Sequence, residues 1–160
     1  MLTVESSEKA DSRWNKRLLE SGLGTIFQTE ERKKLVDLAD KFKKIPRKSI
    51  FLKFINSNGS IVGQMLLEES PRFTKSNVKS KFFRNIPGLK KKILKWTYGP
   101  IIFEKDYSEN IFSVFNDYLI SENALPNGWS HPIYSGKPLI MKKNFQVINW
   151  GTYLIDLTKS

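Results

Sequence analysis

The sequence predicts a single mixed α/β domain of the α+β kind, in which a mostly antiparallel sheet is flanked by helices. Three observations carry this prediction. Between Ser49 and Glu68, apolar residues alternate and then run together on either side of Asn58-Gly59. That dipeptide tolerates the positive φ of a tight hairpin turn, so the stretch reads as strand, turn, strand. Two other stretches, 29–44 and 106–123, repeat their apolar residues at helical spacing. The chain has 160 residues, 39% of them hydrophobic, enough to bury one core and too few for two independent ones.

Composition excludes several kinds of chemistry. There is no cysteine and one histidine, His131, which removes disulfide frameworks, thiolate nucleophiles and zinc sites built from cysteines or several histidines. No metal is expected. The N-terminal residues lack the apolar centre of a signal peptide, and no run approaches the roughly 18 uninterrupted apolar residues of a spanning helix, so the expected location is the cytoplasm. The net charge of +11, from 27 Lys and Arg against 16 Asp and Glu, favours anionic partners such as nucleic acid, anionic lipid or a phosphate-bearing molecule.

In chain order, residues 1–11 read as a flexible N-terminus, and the domain proper as 12–160. Trp14, Leu18 and Leu19 stand at helical spacing behind Asp11 and Ser12 as caps, with Gly22 and Gly24 as the stop. Thr29 caps a second helix with Glu30 and Glu31 in its positive first turn, Leu35, Leu38, Ala39 and Phe42 as its apolar stripe, and Pro46 beyond its end. The returning hairpin strand, 61–67, is almost wholly apolar and is expected to be buried on both faces, as in a sheet covered by helices.

Residues 71–103 hold nine Lys and Arg and no acid and read as an irregular excursion with a short helix. They lead into Trp96-Thr-Tyr-Gly-Pro-Ile-Ile-Phe103, an apolar run bent at Gly99-Pro100 that suits a bulged or edge strand. Asp106 and Glu109 have the spacing of a capping box for a helix through Asn123, with Ile111, Phe112, Phe115, Leu119 and Ile120 on one side. Residues 125–144 read as loop, and Trp150 to Leu157 as a last strand. Thr158 and Ser160 are cap-type residues at the very end of the chain, which suggests the opening of a further segment.

The order helix, helix, hairpin, basic excursion, Tyr-Gly-Pro strand, helix, loop, strand resembles the N-terminal half of the Fem family. The residues that carry the likeness are Thr25-Ile-Phe-Gln-Thr29, Asn58-Gly-Ser-Ile-Val-Gly63, Trp96-Thr-Tyr-Gly-Pro-Ile-Ile102 and Thr152-Tyr-Leu-Ile-Asp-Leu157. The resemblance implies a single GNAT-like domain, the N-terminal half of a longer twin-domain protein. It also implies transfer of an acyl or aminoacyl group to an amine, with acyl-CoA or aminoacyl-tRNA as donor and a cell-envelope precursor as acceptor. This chain would supply the acceptor-binding half and be incomplete for catalysis. No cofactor is expected within it, because the glycine-bearing signature that holds the CoA pyrophosphate on backbone N–H groups is absent.

The candidate site residues each have a functional and a plain structural reading. Gln28, Lys33 and Lys34, at a helix start, can hold a phosphate-bearing substrate or simply form a solvated face. Tyr98, before Gly99-Pro100, can present its hydroxyl at a cleft where glycine allows close approach, or serve as a core aromatic at a bend. Lys79, Lys81, Arg84, Lys90, Lys91 and Lys92, interleaved with Phe82 and Phe83, suit tRNA, another nucleic acid or a peripheral anionic membrane contact, or are a solvated basic loop. The basic segment 71–95 also supports a rival reading of the whole chain as a non-enzymatic anion-binding module. His131 reads as a turn histidine, and Glu68 and Glu69, adjacent on a strand, point to opposite faces and cannot act as an acid/base pair. No residue is assigned a catalytic role.

Overall fold

The computed structural model describes residues 1–43, 46–71 and 92–130. Strands run over Thr3–Ser7 (β1), Lys48–Ile55 (β2), Ile61–Pro71 (β3), Lys92–Thr97 (β4), Ile101–Ile102 (β5) and Ala124–Trp129 (β6), and helices over Trp14–Glu20 (α1), Glu30–Asp40 (α2) and Ser108–Ser121 (α3). The strands form one six-stranded sheet in the order β1-β2-β3-β4-β6, with β5 beside β3. Every pairing is antiparallel except β4 with β6, which run parallel because α3 carries the chain back between them. The mixed α/β architecture predicted from sequence is the one observed. No helix among the described residues is long and apolar enough to cross a membrane.

The hairpin forms where expected, with β2 and β3 paired from Lys48 opposite Glu69 to Ile55 opposite Ile61. Its turn is wider than a two-residue turn. Asn56 closes it, accepting on Oδ1 from the N–H groups of Asn58 and Ser60, and Gly59 alone takes a positive φ, +79°. In β3, Val62 to Leu67 are all buried, because both faces of the sheet are covered.

The two faces carry separate cores. On one, Leu52, Phe54, Met65, Leu67, Leu94 and Trp96 pack under Ile111, Phe115 and Leu119 of α3, with the Trp96 and Phe115 rings edge to face at 5.1 Å. On the other, Phe51, Leu66 and Ile101 meet Trp14 and Leu18 of α1, and Trp14 stands edge-on to Phe51 at 4.8 Å. Alternation along each strand supplies both sets at once.

Several elements depart from the sequence reading. The segment expected to be a flexible N-terminus contains β1, paired with β2 from Thr3 opposite Ile55 to Ser7 opposite Phe51; within the strand only Val4 packs on the core, too little apolar signal to mark a strand. Residues 124–129, expected to be loop, form β6. Pro126 is tolerated there because β6 lies at the end of the described strand order. Gly128 is required because a Cβ would stand 2.1 Å from the Trp96 ring. Neither Asp11 nor Ser12 caps α1, whose N-cap is Arg13. The Asp106/Glu109 capping box does not form: Lys105–Tyr107 is a 3-10 turn, and α3 begins at Ser108 without a side-chain cap. Thr29 does cap α2, accepting from the Arg32 N–H at 3.3 Å. The expected short helix within 71–103 and the strand 150–157 lie outside the described residues.

The largest departure concerns α2, which lies on the α1 side of the sheet. Leu35, Leu38 and Phe42, read as its core stripe, are exposed, and the buried residues are Val36 and Asp40. Charge turns the helix. Asp40 is 2% exposed and accepts from Arg47 three times, from the backbone N–H and Nε at 2.8 Å and from Nη2 at 2.9 Å. Arg47 also donates to Glu68 Oε2 at 2.7 Å, and Arg32 donates to Glu68 Oε1 at 3.0 and 2.7 Å. These bonds span from the helix to β3, and they set which side of α2 faces the sheet.

The Arg47 guanidinium holds the Asp40 carboxyl well below the usual carboxylate range. A depressed folded pKa contributes stability that is complete above the unfolded value of about 3.9 and is lost as pH falls below it. Replacement of Asp40 by Asn is therefore expected to lower stability near neutral pH by about 2–4 kcal/mol, since it leaves Arg47 partly unpaired. It should also remove part of the stability loss that wild type shows below about pH 4. Urea denaturation of both proteins across pH 2–7 measures both effects.

Candidate functional site

Strand β3 has two successive partners on one side. Its residues Glu68–Pro71 pair with β4 and Gly63–Gln64 with β5, and between the two the chain leaves the ladder at Tyr98-Gly99-Pro100, where the Gly99–Pro100 peptide is cis. A side chain bridges the interruption. Gln28, on the 3-10 turn Ile26–Gln28, accepts from the Leu66 N–H of β3 and donates to the Thr97 carbonyl of β4, each at 2.7 Å.

Gln28 in turn anchors α1. The Trp14 indole N–H donates to the Gln28 carbonyl at 2.8 Å, Gln64 Nε2 donates to the Trp14 carbonyl at 3.0 Å, and Arg17 Nε donates to Gln64 Oε1 at 2.8 Å. Arg17 ends the chain on Asp11 at 2.6 Å. Gln28 is 0% exposed and its amide is committed to backbone groups, so it is a structural bridge and is not available to a substrate. Gly99 serves the same bridge. A Cβ there would stand 3.0 Å from Met65 Cγ and 3.1 Å from Gln28 Nε2, so the space the glycine opens is filled from inside.

Beyond the bridge, the surface is aromatic. Tyr98 takes a left-handed φ of +56° at the carboxyl end of β4, half-buried, with its ring edge-on to Phe27 at 5.6 Å. The Arg32 guanidinium lies 5.8 Å from the Phe27 ring centre, within cation–π range. Trp129 ends β6 level with Thr97 and is half-exposed. This group sits at the carboxyl ends of the parallel pair, the place where open α/β sheets receive ligands.

The remaining predicted residues are distributed unevenly about this surface. Lys33 is paired with Asp37 and Lys34 with Glu31 at 3.8 Å, so both lysines of α2 are locally neutralised. Lys92 is not part of a free basic loop. It lies in β4 between Glu69 at 3.2 Å and Glu122; burial works against its ammonium, but the hydrogen bonds to Glu122 and Glu69 outweigh burial and raise its pKa. Glu68 and Glu69 do point to opposite faces, one to the arginines beneath α2 and the other to Lys92. Lys79, Lys81, Arg84, Lys90, Lys91 and His131 lie outside the described residues.

Phe27, Arg32 and Trp129 join the site without having been singled out in the sequence. Phe27 stood inside a quoted motif, but nothing distinguished Arg32 from its charged neighbours or Trp129 from a loop residue. Among the described residues, no group of three His, Asp or Glu could hold a metal ion. The start of α3 does not suit the pyrophosphate of an acyl-CoA either. Glu104, Asp106 and Glu109 stand near it with Lys105 as the single cation among them and no glycine, and their negative charge disfavours a pyrophosphate there although none of them caps the helix.

Replacing Gln28 by Leu is expected to cost about 2–4 kcal/mol, because it strands the Leu66 N–H and the Thr97 carbonyl in the interior. Urea denaturation measures the loss. Native-state hydrogen exchange adds the location: the Leu66 amide should lose protection disproportionately compared with amides in the β1–β2 ladder.

No family model matches the sequence, and no curated protein matches it. Among solved structures, the chain is similar to an acetyltransferase of Trypanosoma brucei, at 15% identity over 97% of this chain and 99% of that one, with a TM-score of 0.48. A likeness at that level assigns no function.

Proposed function

We propose that this chain is a GNAT-like domain of the Fem type that binds the amine acceptor in an acyl or aminoacyl transfer, with its candidate acceptor site at Tyr98. The observation that carries the reading is the left-handed backbone of Tyr98 at the open carboxyl end of the β4–β6 pair. A non-glycine residue held there costs about 1–3 kcal/mol, and such conformations concentrate at ligand sites. The element order supports the same reading. Two helices before a hairpin, and a further helix after the Tyr-Gly-Pro turn, are the part of the Fem-like order that the described residues share.

In this reading Tyr98, Phe27 and Trp129 form the walls for the acceptor, and Arg32, whose charge is matched by Glu68, holds its guanidinium beside the Phe27 ring. Transfer joins the acceptor nitrogen to the acyl carbon and breaks that carbon's bond to the donor, an ester oxygen of aminoacyl-tRNA or the thioester sulfur of acyl-CoA. The amine proton leaves to a base outside the residues assigned here. The carboxylates at the start of α3 direct the donor elsewhere, to a partner or to a further part of a longer protein.

Calorimetric titration with UDP-N-acetylmuramoyl-pentapeptide, a phosphate-bearing cell-envelope precursor, tests the proposal. Wild type is expected to bind it, and Tyr98→Gly to weaken binding at least about tenfold. The same variant should change stability by less than about 1 kcal/mol, because relief of the backbone offsets the lost ring contact. Absence of binding, or binding unaltered in Tyr98→Gly, would reject the site.

A further inference from the structure

The ion pairs beneath α2 do not end in the interior. Glu68 stands between two arginines and turns a different oxygen toward each: Oε2 accepts from Arg47 Nη1 at 2.7 Å, and Oε1 accepts from Arg32 Nε at 3.0 Å and Nη2 at 2.7 Å. Two donors of one planar guanidinium on one oxygen fix both the position and the rotation of the group. The Glu68 side chain is 13% exposed, so these bonds form where water competes little. From Arg32 the contacts continue outward. Its guanidinium lies 5.8 Å from the Phe27 ring centre, and the Phe27 ring meets the Tyr98 ring at 5.6 Å with 73° between their planes.

The rings at the outer end are not held by core packing. Neither Phe27 nor Tyr98 belongs to either of the two cores, and Phe27 is partly exposed beside the wholly buried Gln28 on the same short turn. Gln28 fixes the backbone of that turn through its bonds to Leu66 and Thr97. It does not fix the direction of the Phe27 ring, which turns about its own side-chain torsions. Arg32 and Tyr98 both lie against that ring, and Arg32 is tied to β3 through Glu68.

We propose that Glu68 is a positioning residue for the aromatic surface at Tyr98: it aims Arg32, Arg32 aims the Phe27 ring, and that ring sets the attitude of the Tyr98 ring. Glu68 thereby does more than anchor α2, whose far end Asp40 and Arg47 already hold. A cation over one ring and an edge-on contact between two rings are each directional, so an arginine fixed in rotation passes its orientation on to both. That this surface receives an acceptor rests on the function proposed above. The aiming of the rings rests on these contacts alone.

Nuclear magnetic resonance of the full chain with isotope-labelled tyrosine tests this without a ligand, the Tyr98 ring signal being identified by its loss in Tyr98→Phe. Glu68→Gln is expected to displace that signal more than those of Tyr107 and Tyr118. Phe27→Leu removes the intermediary, so adding Glu68→Gln to it should move Tyr98 at least about threefold less than Glu68→Gln does alone. Arg32→Lys keeps a cation on Glu68 but loses the planar group; it should displace Tyr98 in the same direction and guards against a folding defect in Glu68→Gln. Asp40→Asn controls for general loosening, since it weakens the other end of the network while leaving Arg32 on Glu68, and Tyr98 should stay in place. A Tyr98 signal unmoved in both Glu68→Gln and Arg32→Lys would overturn the proposal, as would equal displacement in Asp40→Asn or equal displacement with the Phe27 ring removed. Titration with UDP-N-acetylmuramoyl-pentapeptide reports separately on the acceptor. If wild type binds it, Arg32→Lys should weaken binding by about threefold or more; if wild type does not, the acceptor reading fails while the ring displacements still decide the role of Glu68.

Discussion

The sheet has a gap in its ladder, and the primary amide of Gln28 fills it by accepting from Leu66 on one strand and donating to Thr97 on the next. A buried backbone N–H or carbonyl left unpaired costs free energy comparable to a lost hydrogen bond, so β4 can leave β3 only where some other group takes over the pairing. Because that group is a side chain, its own backbone must be held, and Trp14, Gln64, Arg17 and Asp11 do so in sequence. The position of α1 on the sheet follows from this chain of bonds as much as from the packing of Trp14 and Leu18. The departure of the chain at Tyr98 follows from it as well.

Local pattern made part of this legible. The hairpin, the double burial of β3 and the inner face of α3, apart from Ile120, which is exposed, were readable because each is dictated by residues near one another in sequence: alternation, a turn dipeptide, helical spacing. β1 and β6 were not. β1 is recruited by the edge of β2 with Val4 as its one core-packed apolar residue, and β6 contains Pro126 and Gly128, which read as turn formers until Trp96 is seen lying over the glycine. The role of Gln28 was hidden for a related reason. Its position just before a helix suggested a ligand for phosphate, whereas its partners are 38 and 69 residues away, and no local pattern reports on an acceptor and a donor brought together by the sheet.

The candidate site divides in the same way. Tyr98 was visible because Gly99-Pro100 marks a bend, and the structure places it at the open end of the parallel strands with a backbone that only its surroundings can sustain. Phe27 and Arg32 reach it from the turn and helix that Gln28 positions. Lys33 and Lys34, which the charge run offered more prominently than Arg32, are paired with neighbours on their own helix. In a run of five charged residues, 30–34, the one whose direction matters is selected by Glu68, a strand residue whose presence opposite Arg32 the run itself does not encode.

The same selection explains why the apolar stripe of α2 was misassigned. Reading a stripe as core assumes that burial of hydrocarbon decides how a helix is turned, at about 25 cal/mol per Å² of apolar surface. Here Asp40, Arg47, Glu68 and Arg32 decide it. Ion pairs of this kind contribute little net stability compared with well-packed apolar residues of similar size, but removing one member leaves a charge unpaired in a half-buried site, so the orientation they fix is costly to change. An apolar contact of similar size could have been made by rotating α2 to bury Leu35 and Leu38, and that rotation would have broken these bonds. The helix keeps the bonds and exposes the stripe.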